Sequence, residues 1–175
     1  MLTTFTTFCL ALLREMRVER GRHQAEVAEW LGVTPSAWTK VEVGSSPLKL
    51  SSFVRVCAGF EVHPSVAMAA ADRHAEFFRA EGWTVLTGEL AASEDELLRL
   101  ALEYWGSLGG RSPRYNYFGS PSVIHGPIRD LNGEMLLAPV FRYGLDPSSR
   151  QQLKEPGLNL SWTKQEEPMP ASAGS

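Results

Sequence analysis

The stretch Gln24-Ala25-Glu26-Val27-Ala28-Glu29-Trp30-Leu31-Gly32-Val33-Thr34-Pro35-Ser36-Ala37-Trp38-Thr39-Lys40-Val41-Glu42-Val43-Gly44 decides how this chain is read. Val27, Ala28 and Leu31 recur at helical spacing, and Gly32 stops the run. Thr34 then offers a hydroxyl to the open end of a second helix. Pro35 stands at that helix's first position, where its missing N–H costs nothing. Ala37, Trp38 and Val41 are the expected buried face of this second helix, and Gly44 closes it. Two short helices joined through Gly32-Val33-Thr34 make a helix-turn-helix.

The flanking segments read as further helices. Phe5, Phe8, Cys9, Leu12, Leu13 and Met16 share one face of a helix spanning Met1 to Arg20. Arg14, Glu15, Arg17, Glu19 and Arg20 fall mostly on its other face, and Gly21 ends it. Residues 44–47 read as a loop. Leu50, Phe53, Val54, Cys57 and Phe60 predict a fourth helix. His63-Pro64 is a break, because a residue before proline disfavours the α region, and a fifth helix runs from Val66 to about Ala80. On this reading His63 is a turn residue, His74 is solvated, and Cys9 and Cys57 lie in the core. A redox switch is the alternative for the two thiols, and no neighbouring sequence supports it.

Composition bounds the answer. At 175 residues the chain holds one domain or two small ones. Its 43% hydrophobic content supports a core, and no apolar run approaches the ~20 residues of a membrane span. Met1 to Leu13 lacks a basic start and a small-residue cleavage site, so a signal peptide is not expected and the location reads as cytoplasmic. Two cysteines make no disulfide framework, and no Cys/His cluster has zinc spacing, so no metal and no cofactor are expected. A net charge of −3 excludes a histone-like protein. Residues 1–73 carry 8 basic and 7 acidic side chains against 9 and 13 in the rest, a basic bias too weak to decide anything alone.

From Gly82 the texture changes. Trp83 to Leu90 reads as a strand, and Ser93-Glu94-Asp95-Glu96 as a capping box before a helix bearing Leu97, Leu100, Ala101 and Tyr104. Gly106 to Pro113 is a glycine-rich loop. Tyr115 to Phe118, Ser122 to Ile128 and Glu134 to Tyr143 read as strands, with a hairpin turn at Asn132-Gly133. After Asp146-Pro147 the chain turns polar, and residues 161–175 read as a disordered tail. Trp83, Tyr104, Trp105, Tyr115, Tyr117 and Phe118 concentrate aromatic surface, which serves a small core, a dimer interface or a ligand pocket. Ser122, His125 and Asp130 match no nucleophile elbow in order or spacing, so no catalytic residues and no enzymatic activity are expected.

The Gln24 to Gly44 pattern resembles the Cro/C1-type, or XRE-family, helix-turn-helix, over about residues 10–72. The shared features are Gln at the start of the second helix, an apolar–Ala pair, Leu-Gly-Val with a Ser/Thr cap, and an apolar–Glu pair before Gly. The resemblance implies a mainly α, five-helix, lambda-repressor-like N-terminal domain over residues 1–80. A small α+β region at 83–160 would follow it, for dimerisation, sensing or partner binding. It also implies a prokaryotic source, double-stranded DNA as partner, a homodimer, and a transcriptional regulator, more often repressor than activator, with Pro35 to Val43 as recognition helix. The residues carried over to DNA contact are Arg22, Gln24, Thr34, Pro35, Ser36, Thr39, Lys40 and Ser45. Three positions depart from the pattern: His23 replaces the usual Thr or Ser cap, Val43 a polar or basic residue, and Trp38 a smaller Ile or Val. An antitoxin-like or adaptor protein, whose C-terminal region binds a protein partner, is the other class the sequence admits. A protein or small-molecule effector at the C-terminal region is admitted as well. No membrane contact is expected.

Overall fold

A computed structural model of the chain describes residues 1–111 and 122–154. It is mostly helical. Strand β1 (Leu2–Thr4) leads into α1 (Phe5–Glu19), α2 (Gln24–Leu31), α3 (Pro35–Glu42), α4 (Leu50–Gly59) and α5 (Pro64–Ala80). Then come β2 (Thr84–Leu86), α6 (Glu96–Gly106), the short α7 (Leu108–Arg111), β3 (Ile128–Arg129), β4 (Met135–Leu136), α8 (Pro139–Leu145) and α9 (Pro147–Lys154). None of the helices among the described residues is long and apolar enough to cross a membrane.

The chain does not begin as helix. Leu2, Thr3 and Thr4 pair in parallel with Thr84, Val85 and Leu86, so the first residues form a strand against the expected strand after Trp83. The switch from strand to helix happens at Thr4, whose hydroxyl accepts from the Thr7 N–H at 3.2 Å and caps α1. Asp95 fixes this corner. Its buried carboxylate accepts from the hydroxyls of Thr3 at 2.7 Å and Thr7 at 2.5 Å while capping α6 through the Leu98 N–H at 2.9 Å. The cap of α6 is therefore Asp95 rather than the expected Ser93.

One apolar core runs through residues 8–143. Phe8 of α1 meets Phe78 of α5 edge-on at 5.0 Å and stacks on Phe141 of α8 at 5.7 Å. Trp83 sits against Phe78, and Tyr104 of α6 against Tyr143 of α8. Each large side chain buried this way contributes roughly 1.5–3 kcal/mol. Trp83, Tyr104 and Trp105 thus belong to this core, and the described residues after Gly82 pack on the same helices as those before it. The loop at 122–127 is stapled across it: Glu19 accepts from the Ser122 hydroxyl and the Val123 N–H, and Arg73 donates to the Ile124 carbonyl at 2.7 Å.

Several expectations fail for local reasons. Glu15 is buried in the core, because the Trp105 indole N–H reaches it at 2.8 Å. Helix α4 buries Phe53, Val56 and Cys57, leaving Leu50 at 69% exposure and Val54 outside. Of the strand expected at 134–143 only Met135–Leu136 pairs, antiparallel to Ile128–Arg129 about the Asn132-Gly133 turn. Pro139 has no N–H for a ladder and a φ suited to a helix start, so α8 begins there. Ser122 to Ile128 is mostly turn, and residues 108–111 of the expected glycine-rich loop are helical. The strand expected at Tyr115 to Phe118 and the tail at 161–175 lie outside the described residues. Cys9 and Cys57 are buried, and burial pushes their thiols up to about 12 and about 11.

His74 is the largest departure. It is wholly buried, with Nδ1 bonded to the Ala70 carbonyl at 2.8 Å and its ring 4.2 Å from Phe141. Burial pushes it down to about 4, against the pull of the Ala70 carbonyl. The folded protein therefore holds His74 neutral while the unfolded chain protonates it near 6.5. Stability should fall as pH drops from about 6.5 to 4, with a slope approaching ~1.4 kcal/mol per pH unit from this one proton. Asp146, drawn down to about 2 by the Ser149 and Ser148 hydroxyls, titrates below that window. Denaturant unfolding of the wild type and of His74→Leu at pH 7, 6, 5 and 4 checks this. The variant should lose the slope between about pH 6.5 and 5, above the range where the depressed Glu26 carboxyl adds its own loss, and equal slopes there would refute the assignment.

Candidate nucleic-acid interface

Glu42 sits four residues after Trp38, so the two share a face of α3. It is 1% exposed, and its carboxylate accepts hydrogen bonds from three helices. Arg17 of α1 donates in a fork, Nε to Oε1 at 2.7 Å and Nη2 to Oε2 at 3.1 Å. Gln24 of α2 donates its Nε2 to Oε2 at 2.5 Å, and the Trp38 indole N–H reaches Oε1 at 2.9 Å. The planar guanidinium matches the carboxylate in a way no lysine could.

This clasp sets which residues of α3 look outward. Trp38 and Glu42 turn inward and Val41 is half-buried. Ala37, expected inside, is exposed because the bulk of Trp38 and the tethered Glu42 take the inward positions. Pro35, Ser36, Ala37 and Lys40 form the free face.

The eight candidate contact residues divide by what their side chains already do. Thr34 spends its hydroxyl on the Ala37 N–H and caps α3. Thr39, half-buried, donates to the Pro35 carbonyl at 2.9 Å and lies 3.3 Å from Gln24 Oε1. Gln24 is held by Glu42 and Thr39, so it is oriented at the start of α2 rather than free. Arg22 is exposed but pairs with Glu26 at 2.9 Å. Ser45 donates to the Lys40 carbonyl at 3.0 Å. Pro35, exposed, opens α3 and carries no donor. Ser36 and Lys40 are exposed and make no side-chain hydrogen bond or ion pair among the described residues. They are the groups best placed to meet another molecule.

His23 is a weak cap in itself, and the local structure compensates. Glu26, three residues on, accepts the His23 N–H at 2.7 Å, half of a capping box. That N–H, and after it the Arg22 guanidinium, hold the Glu26 carboxyl below its usual range. Arg17 was absent from the expected contacts, and Glu42 figured only as part of the family pattern. Their signal was available: Arg17 stands four residues after the buried Leu13, and Glu42 lies on the stripe of Trp38. Ser122 and Asp130 are used structurally, on Glu19 and in closing the β3–β4 turn through the Asn132 and Glu134 N–H groups.

Residues 10–71 match the family model of a helix-turn-helix domain. No curated protein and no solved structure matches the chain. The matched span runs from within α1 through the first half of α5, and it contains the Glu42 clasp and the free face of α3. A helix-turn-helix domain points to a DNA-binding regulator.

The clasp makes a direct prediction. Glu42→Ala leaves Arg17 without its carboxylate and should cost about 3–5 kcal/mol, the usual penalty for stranding one partner of a buried pair. Lys40→Ala should stay within about 0.5 kcal/mol, as surface changes do. Urea unfolding of both variants at pH 7 measures this, and equal stabilities would remove the clasp from the account.

Proposed function

We propose that the helix-turn-helix domain at residues 10–71 makes this chain a sequence-specific DNA-binding transcriptional regulator, acting as a repressor. The observation that carries this is the outward face of α3. Ser36 and Lys40 stand unspent beside an oriented Gln24, on a helix locked to α1 and α2 through Glu42. A helix held this rigidly enters the major groove without reorganising. Lys40 can neutralise a phosphate or read a guanine, and Ser36 accepts or donates to a base edge. The first turn of α2 presents backbone N–H groups suited to a phosphate.

Two such side chains, at ~1–3 kcal/mol per good base contact, supply about 2–6 kcal/mol and reach only the lower part of the ~4–10 kcal/mol that separates specific from non-specific sites. That shortfall favours a homodimer reading two half-sites. Occupying an operator is enough for repression, and the dimer would sit on DNA through two copies of α3.

The experiment is retention of fragmented genomic DNA by the purified protein at two salt concentrations, followed by sequencing. A recurrent paired motif, lost steeply as salt rises, is expected. Lys40→Ala should weaken binding to every site and, with one Lys40 lost from each of the two copies of α3, flatten the log–log salt slope by about two. Ser36→Ala should change the preferred bases. Absence of any enriched motif at both salts would overturn the DNA reading and turn the assignment to the adaptor class.

A further inference from the structure

Behind the recognition helix lies a cleft of about 520 Å³, well within the size of small-molecule sites. One wall is Val41 of α3 with the loop at 44–48. The rest of the lining includes the turn at 87–92 and Leu98 of α6, which abuts that loop at Gly44. Apolar surface comes from Leu10, Leu48 and Leu98, and hydroxyls from the threonines and serines around them. The lining contains two carboxylates and no lysine, arginine or histidine. Asp95 is already saturated by threonine hydroxyls and the Leu98 N–H. Glu89 is exposed and makes no ion pair among the described residues.

We propose that this cleft binds a small organic cation with an apolar body, and that occupancy shifts the end of the recognition helix. The charge of the lining selects the ligand class, since an anion would meet the exposed carboxylate of Glu89, with the buried charge of Asp95 behind it and no lysine, arginine or histidine in the lining to offset them. The shift follows from contact. Gly44 ends α3 at φ +73°, and a β-carbon there would stand 2.5 Å from Leu98 Cδ2, so the loop rests against the Leu98 side chain of α6. The Ser45 hydroxyl and the Ser46 N–H both hold the Lys40 carbonyl at 3.0 Å. A molecule wedged between Leu98 and this loop therefore moves the residue that bears the free ammonium of α3. The consequence for DNA rests on the regulator reading above, whereas binding and the shift do not.

The test is titration of the full chain with hexylammonium at constant pH, followed by backbone amide chemical shifts, with hexan-1-ol and hexanoate as equal-sized neutral and anionic probes. The expected result is saturable shifts at Ser45, Ser46, Gly88 and Leu90 that extend to Lys40, with hexylammonium tightest and hexanoate weakest. Glu89→Gln, an exposed change that spares the fold, should weaken hexylammonium about threefold, the scale of one exposed ion pair. Ala92→Trp, on the exposed rim, should block the cleft and abolish the shifts. Shifts that fail to saturate, that survive Ala92→Trp in a folded variant, or that are equal for the three probes would overturn the site. Saturable binding that leaves Lys40 unmoved would overturn the coupling. Failure of the chain to bind DNA would leave these shift results standing, so the two readings fall separately.

Discussion

The carboxylate of Glu42 is the constraint on which the helix-turn-helix depends. A buried charge is costly in itself, and it persists here because Arg17, Gln24 and Trp38 supply hydrogen bonds to both of its oxygens. The same bonds come from α1, α2 and α3. The orientation of α3 is therefore a consequence of charge satisfaction as much as of apolar packing. Apolar contact alone leaves an eight-residue helix free to roll, since its single large buried anchor is Trp38. Directional hydrogen bonds on one carboxylate remove that freedom and hold Ser36 and Lys40 outward.

A second buried carboxylate does comparable work at the other end of α1. Asp95 accepts from threonines of the first strand and first turn while capping α6. Between the two hubs α1 is anchored at its start to the C-terminal region and near its end to α3. The aromatic layer of Phe8, Phe78 and Phe141 fills the space between. Residues far apart in sequence thus share one core, and the loop after α3 rests directly on Leu98 of α6. A change in the β2–α6 turn has a short mechanical route to the helix-turn-helix.

Legibility followed the range of the interaction that decides each feature. Helices α2 and α3 were readable because their starts and stops are local: Thr34 and Pro35 open α3, and Gly32 adopts φ +67° to end α2. The outward placement of Ser36 and Lys40 followed from periodicity. The first strand was missed because Leu2 to Thr4 reads as the continuation of an apolar helix, and its partner is some eighty residues away. Sequence pattern places His74 and Glu15 in solvent because polar residues usually lie there. Their burial depends on the Ala70 carbonyl and the Trp105 indole, groups whose proximity no local pattern encodes.

The sequence by itself determined the helix-turn-helix, the Thr34 cap, the turn glycine and the outward placement of Ser36 and Lys40 on α3, though not that of Ala37. Short-range sterics and helical periodicity act within a few residues, and they are written in the order of the side chains. Only the tertiary structure decided which polar groups were spent. It showed Thr34, Thr39 and Ser45 used locally, Gln24 tethered and Arg22 paired, with Ser36 and Lys40 left free. It also placed Leu98 under Gly44 and opened the cleft beside them. Those outcomes depend on which distant groups arrive within hydrogen-bonding or van der Waals distance, and chain order does not carry that distance.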